Sequence, residues 1–235
     1  MKLEDVIQAL HLFADQSKVN FKKEKYNISS GEAQVLGIYQ KDIKAIAKEI
    51  GKNKILAIDL FNTNIYEAKL LCSKIFPAKE LTPQLMDEWV AHFDNWEICD
   101  SFCMEVFAKS HIPLVKVEQW SKSDHEFTKR AAFATIAAYC MADKKASNEK
   151  FIAFFPLIEQ ASDDNRIYVR KAVSWALRNI GKRNIDLKPK AIELAQKMKE
   201  ENPSKAAQWI SNDVLKELTK PHIRISDYPR SIYRA

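Results

Sequence analysis

The sequence predicts an all-α protein built from stacked helical pairs, and three observations predict it. The 235 residues include four glycines, whereas a sheet-rich chain of this length needs many positive-φ turns that lean on glycine. Helical spacing of apolar residues runs from end to end, without a convincing alternating strand. The helices also repeat. Lys129-Arg130-Ala131-Ala132 aligns with Arg170-Lys171-Ala172-Val173 at a step of 41, and Ser204-Lys205-Ala206-Ala207 follows 34 later. Upstream, Glu67-Ala68-Lys69-Leu70 and Glu97-Ile98-Cys99-Asp100 stand about one repeat apart in the same register.

Taken in order, Val6, Ile7, Leu10 and Phe13 form the first apolar stripe. Ile43, Ile46, Ala47 and Ile50 form the next, closed by Gly51 at the position glycine favours after a helix. Ile65, Ala68, Leu71, Cys72 and Ile75 make a third, which ends before Pro77. Thr82-Pro83 reads as an N-cap with a first-turn proline, opening a helix through Leu85 to His92. Ser123 and Glu126 have capping-box spacing ahead of a helix from Phe127 to Met141. Asp164 or Asn165 is placed to cap the helix that carries Trp175, with Gly181 at its end. Asn202-Pro203 opens the last helix, through Trp209 and Leu215.

Helical pairs repeating at about 35–45 residues predict a right-handed HEAT-like solenoid with a concave basic groove. No pair can bury its apolar face alone, so stacked neighbours share one core. A single solenoid domain is expected over residues 1–220, followed by a basic C-terminal tail over 221–235. In that tail Pro221 and Pro229 break any helix, with Arg224, Arg230, Arg234, Tyr228 and Tyr233 spread between and after them. It reads either as a segment draped on the surface or as a basic-aromatic arm for DNA.

Hydrophobic residues make up 46% and charged residues 29% of the chain, ordinary for a soluble protein. No stretch approaches the ~20 apolar residues that span a bilayer, so no membrane partner is expected. Met1-Lys2-Leu3-Glu4-Asp5 reads as the start of an amphipathic helix, not as a signal peptide. Cys72, Cys99, Cys103 and Cys140 sit in apolar helical contexts and read as buried free thiols of a cytoplasmic protein. His11, His92, His111, His125 and His222 show no ligand spacing, so neither metal nor cofactor is expected. A net charge of +6 and an isoelectric point near 9.0 are compatible with nucleic acid.

Three patches carry the chemistry: Asn95-Trp96-Glu97-Ile98-Cys99-Asp100, Lys129-Arg130-Ala131-Ala132 and Trp175-Ala176-Leu177-Arg178. Trp96 shares a helix face with Asp100, and Trp175 with Arg178. Taken singly, each has an ordinary reading. A Trp on such a helix is usually core, an Asp one turn later is solvated, and an Arg lies along an indole or spreads its stem on the surface. Taken together, they occupy corresponding helices of successive repeats, which in a solenoid face the same side. Trp96, Asp100, Arg130, Trp175 and Arg178 can then converge, with Lys129, Arg170 and Lys171 adding positive charge. Indole walls, one carboxylate and cationic arms suit a positively charged, phosphate-linked substrate, which points to DNA.

From Leu36-Gly37-Ile38 to the helix ending at Leu215, the chain resembles the DNA alkylation repair proteins, alkylpurine DNA glycosylases built from HEAT-like repeats. Asn95-Trp96-x-x-x-Asp100 looks like the family's Trp-x-x-x-Asp element, Lys129-Arg130-Ala131-Ala132 like its Arg-Ala-Ala helix start, and Trp175-Ala176-Leu177-Arg178 like its Trp-x-Leu-Arg element. Glu97 stands where the family often has Asp after the first Trp, and Gln40, Lys41 and Lys44 stand near where it often has Pro and Arg. The resemblance implies Asp100 as catalytic carboxylate, Trp96 and Trp175 as walls around the lesion nucleotide, and Arg130 and Arg178 as backbone contacts.

It further implies a monomeric glycosylase acting on duplex DNA that contains cationic N-alkylated purines, of the 3-methyladenine and 7-methylguanine type, without deep base flipping. Two other readings remain open. One is a non-catalytic solenoid that recognises branched or distorted DNA. The other is a protein-interaction scaffold, in which Arg130, Arg170 and Arg178 would scatter.

Overall fold

The apolar stripes fold into helices throughout a computed structural model that describes residues 1–28, 33–111 and 113–230. Tyr233 and Arg234 of the tail lie outside these residues. Among the described residues there is no strand, only an isolated parallel bridge between Gln34 and Ile65. The chain forms two units, Met1–His111 and Ile112–Ala235.

The first unit contains α1 (Leu3–Leu12), α2 (Gln16–Tyr26), α3 (Gln40–Ile50), α4 (Lys54–Phe61), α5 (Tyr66–Ile75), α6 (Pro83–Ala91) and α7 (Trp96–Glu105). Helices α3, α5 and α7 pack in succession, with α4 and α1 against α5. Trp89 of α6 anchors the core, its ring 4.9 Å from those of both Phe76 and Phe102 and 5.4 Å from that of Phe61. Each such aromatic contributes about 1.5–3 kcal/mol relative to exposure. Gly51 has φ of +72° as the α3 cap, and the Thr82 hydroxyl accepts the Leu85 N–H at 3.2 Å to open α6. The first stripe is shorter than expected: Val6 and Leu10 are buried, but Phe13 lies beyond the end of α1, exposed.

The second unit contains α8 (Pro113–Ser121), α9 (Glu126–Ala142), α10 (Asn148–Ile152), α11 (Phe155–Gln160), α12 (Ile167–Gly181), α13 (Leu187–Glu201) and α14 (Lys205–Leu218). Here α9, α12 and α14 form the successive row, with α8 against α9 and α13 against α12 and α14. The alanines of the repeated motifs explain the repeat. Ala131, Ala132, Ala172, Ala206 and Ala207 are all fully buried, and small side chains let neighbouring helices approach closely. Gly181 serves the same end, because a Cβ there would stand 2.5 Å from Leu218 Cδ1 and 3.1 Å from Ala191 Cβ. It is the last residue of α12, as expected.

Two caps differ from expectation. His125, not Ser123, caps α9, while the Glu126 carboxylate accepts the Tyr168 N–H of α12 at 3.2 Å instead of closing a local box. Arg166, not Asp164 or Asn165, stands at the N-cap of α12, with Asp164 accepting the Arg166 N–H just ahead of the helix. The tail is docked on the second unit as far as residue 230, as a draped segment would be. Ser226 N–H donates to Lys182 O at 2.8 Å and Tyr228 N–H to Arg183 O at 2.9 Å.

The docking point is organised by Arg183, a fully buried residue that the sequence did not single out. Its guanidinium donates to the carbonyls of Cys140, Asp143 and Ala146 and stacks 4.1 Å from the Phe151 ring centre. It thereby satisfies carbonyls at and beyond the C-terminus of α9, which lack intrahelical partners. All four cysteines are buried and free, as expected. Among the described residues no helix is long and apolar enough to cross a membrane.

Candidate nucleic-acid interface

In the first unit, Asn95 caps α7 by accepting the Ile98 N–H at 3.0 Å, which puts Trp96 in the first turn and Asp100 one turn later. Both are half-buried. The Trp96 indole N–H donates to the backbone carbonyl of Lys25 at 3.3 Å, and its ring lies 5.0 Å from that of Tyr26. Tyr26 is therefore a neighbour of the expected site that sequence reasoning missed. It sits on α2, ahead of the Leu36–Leu215 stretch whose motifs carry the resemblance, and no motif marked it.

Asp94, Glu97 and Asp100 stand close together here, and their surroundings separate them. Glu97 is buried, accepting from Gln40 at 2.7 Å and from the Tyr66 hydroxyl at 2.5 Å. Burial and the facing Glu97 push the Tyr66 hydroxyl far above the usual tyrosine range, so it stays a donor. Asp94 accepts the Asn95 side-chain amide at 2.7 Å. Asp100 is the one that shares the Trp96 face of α7.

The Tyr26–Trp96 contact depends on a second buried carboxylate. Glu67 of α5 accepts from Lys22 Nζ at 3.1 Å and from the backbone N–H groups of Leu36, Gly37 and Ile38 at 2.9, 3.0 and 3.2 Å. Lys22 also donates to Ile38 O at 2.8 Å, and Asp15 N–H to Leu36 O at 2.9 Å. The Leu36-Gly37-Ile38 segment, singled out on sequence as the start of the resemblance, thus ties α2 to α5. Gly37 is required there: its φ is +81°, and a Cβ would meet Asp15 O at 2.1 Å.

The second unit carries the positive charge, with 23 basic against 15 acidic residues, while the first has 14 against 16. Trp175 is half-buried and Lys171, one turn earlier, is exposed. Arg178 is bound to α14: Nε stands 3.2 Å from the Asp213 carboxylate and from Ser174 Oγ, and Nη1 pairs with Glu217. Lys182 shares Glu217 at 2.5 Å. Arg170 lies 5.1 Å from the Trp209 ring centre, and Lys129 pairs with Asp164 at 3.0 Å.

Arg130 differs from expectation in placement. It is buried, and Nη1 donates to the backbone carbonyl of Tyr168 at 2.7 Å, joining α9 to α12. Arg130→Ala is expected to cost about 1.5–3 kcal/mol of stability, the range for a hydrogen bond to a charged group, and to leave the salt dependence of DNA binding unchanged. Urea unfolding and binding titrations in graded salt check the two halves.

Asp164 gives a pH signature. Burial alone would raise its carboxyl, but hydrogen bonds from Arg166 and Lys129 hold it down at about 2. Its folded value lies below the usual ~3.9, so its stabilisation is complete above that value and is lost as pH falls through about 2. The gap in melting temperature between wild type and Asp164→Asn is expected to be constant near pH 6 and to close between roughly pH 4 and 2.

Comparison with known proteins agrees with this arrangement at the level of fold and family. Over 96% of this chain and 98% of the other, the fold matches a solved structure from a family related to the HEAT-like repeat DNA glycosylases, described as having affinity for branched DNA structures, with a TM-score of 0.75 and 19% identity. The protein is thus an all-α HEAT-like helical-repeat solenoid. A designed armadillo repeat protein and a second engineered protein align at TM-scores of 0.40 and 0.41, each with 15% identity, over 92% and 93% of this chain and 100% and 97% of theirs. No curated protein matches the chain in sequence. The family comparison spans residues 6–215, taking in α2, the Trp96–Asp100 turn and the α9–α12–α14 row alike; the chain belongs to the DNA alkylation repair enzyme family.

Proposed function

We propose that the protein is a DNA glycosylase that hydrolyses the N-glycosidic bond of cationic N-alkylated purines in duplex DNA. The observation that carries this reading is the pairing of half-buried Trp96 and Asp100 on one face of α7, while Glu97 between them is taken up by Tyr66 and Gln40. An alkylated purine already bears positive charge and leaves readily. As C1′ loses the base, it develops oxocarbenium character. Asp100 stabilises that charge and orients the attacking water. The glycosidic electron pair departs with the base, which leaves neutral, and the proton lost by water passes to the carboxylate or to solvent.

Trp96, backed by Tyr26, offers an aromatic face to the sugar and its cationic base. Within the second unit, Lys171, Arg170, Lys129 and Arg178 hold DNA phosphates without reading sequence, and half-buried Trp175 offers an indole on the helix of Lys171 and Arg178. Exposed Lys171 meets a phosphate at no internal cost, whereas Arg178 and Lys129 exchange carboxylate partners for it. Lys171→Ala is therefore expected to lower the salt slope of binding by about 1. An unchanged slope removes Lys171 from the interface.

A second reading, a DNA-binding solenoid without excision, is favoured by the branched-DNA affinity described for the structural relative. Release of methylated bases from methylated duplex DNA separates the two. The glycosylase reading requires release by wild type and its loss in Asp100→Asn.

A further inference from the structure

One solvent-facing feature next to Trp96 has no role in the reaction above. Helix α2 carries Lys18, Lys22, Lys23 and Lys25 with Glu24 as its one acid. Phe21, on the same helix, leaves 59% of its surface exposed. One turn later, the Lys25 ammonium stands 5.4 Å from the Phe21 ring centre and 5.2 Å from that of Tyr26. Tyr26 in turn packs on Trp96 at 5.0 Å, whose indole N–H is held by the carbonyl of Lys25 itself. An aromatic ring, an ammonium, a second ring and an indole thus form one continuous array. Among the described residues no other ring pairs with Phe21.

We infer that Phe21 and Lys25 form a stacking subsite for an unstacked nucleobase beside the nucleotide held at Trp96, the ring taking the base face and the ammonium the adjoining phosphate. The inference rests on the DNA reading above and adds a determinant of which DNA is preferred. Exposed aromatics flanked by cations bind bases regardless of sequence, because every base has a π-face, and the ammonium anchors the backbone that carries it. The free ring has a face available and a cation beside it, so it needs no rearrangement to accept a base. Intact duplex keeps its bases stacked and cannot use the site. DNA with an unpaired base can.

The test uses the full chain and two duplexes, one intact and one carrying a single unpaired 2-aminopurine. Phe21→Ala is expected to weaken binding to the bulged duplex by about 10-fold or more, to change intact-duplex affinity less than twofold, and to abolish quenching of the 2-aminopurine. Phe21→Trp restores both affinity and quenching, and Lys25→Gln weakens bulge binding while keeping part of the quenching. Equal effects on both duplexes, or quenching that survives Phe21→Ala, overturn the inference. If that happens while Asp100→Asn still abolishes base release, the glycosylase reading stands without this subsite. If wild type binds neither duplex, the DNA reading fails and takes the subsite with it.

Discussion

Glu67→Ala is expected to lower the unfolding free energy by about 3–5 kcal/mol, the cost of leaving a buried charge unpaired. Glu67 is fully buried, and its removal leaves the N–H groups of Leu36, Gly37 and Ile38 without this acceptor and the Lys22 ammonium with Ile38 O but no counter-charge. A buried donor or cation that loses its partner carries a desolvation cost. Glu67→Gln keeps the shape and one acceptor oxygen but turns an N–H toward a cluster of donors, so a smaller loss is expected. Urea unfolding followed by circular dichroism measures both, and a shift in midpoint at constant m reports stability alone. A loss under about 1 kcal/mol would mean that the Leu36–Ile38 segment does not depend on this carboxylate.

The same substitution reaches the proposed site. Because Lys22 and the Leu36–Ile38 segment fix α2 to α5, their release frees Tyr26 from Trp96. Trp96 fluorescence and the preference for damaged DNA should therefore change in Glu67→Gln even where the protein remains folded.

Helix positions and the buried rows were legible in the sequence because they rest on local spacing. The stripes of α3 and α5, the Thr82-Pro83 start of α6 and the alanine-rich starts of α9, α12 and α14 all follow from side-chain periodicity and small-residue packing. What was not legible rests on contacts across the chain. Glu126 has capping-box spacing with Ser123, yet Tyr168, 42 residues later, takes its carboxylate. Arg130 fits a motif associated with DNA contact and lies buried on a carbonyl 38 residues away. Arg183 follows a helix end and carries no motif, yet it satisfies three carbonyls at once. Around the candidate site, Trp96 and Asp100 could be read as a pair from their one-turn spacing, but Tyr26 could not, since its approach depends on the Glu67 tie.

Asp100→Asn carries the largest expected effect on activity. Removing one preorganised electrostatic group from a charge-developing transition state costs on the order of 10²–10³ in rate, and Asn keeps the size and hydrogen-bonding capacity of the side chain while losing its charge. Because Asn keeps that size and hydrogen-bonding capacity, DNA affinity is expected to stay within about twofold of wild type, and urea unfolding reads any change in stability separately.

The most direct measurement is the single-turnover release of methylated purines from methylated duplex DNA by wild type and Asp100→Asn, with DNA binding titrated in parallel. The glycosylase account predicts release by wild type, a loss of at least 100-fold in the variant, and nearly equal DNA affinity. Release at the same rate in both would contradict Asp100 as the catalytic carboxylate, and tight binding without release by wild type would contradict the enzyme itself.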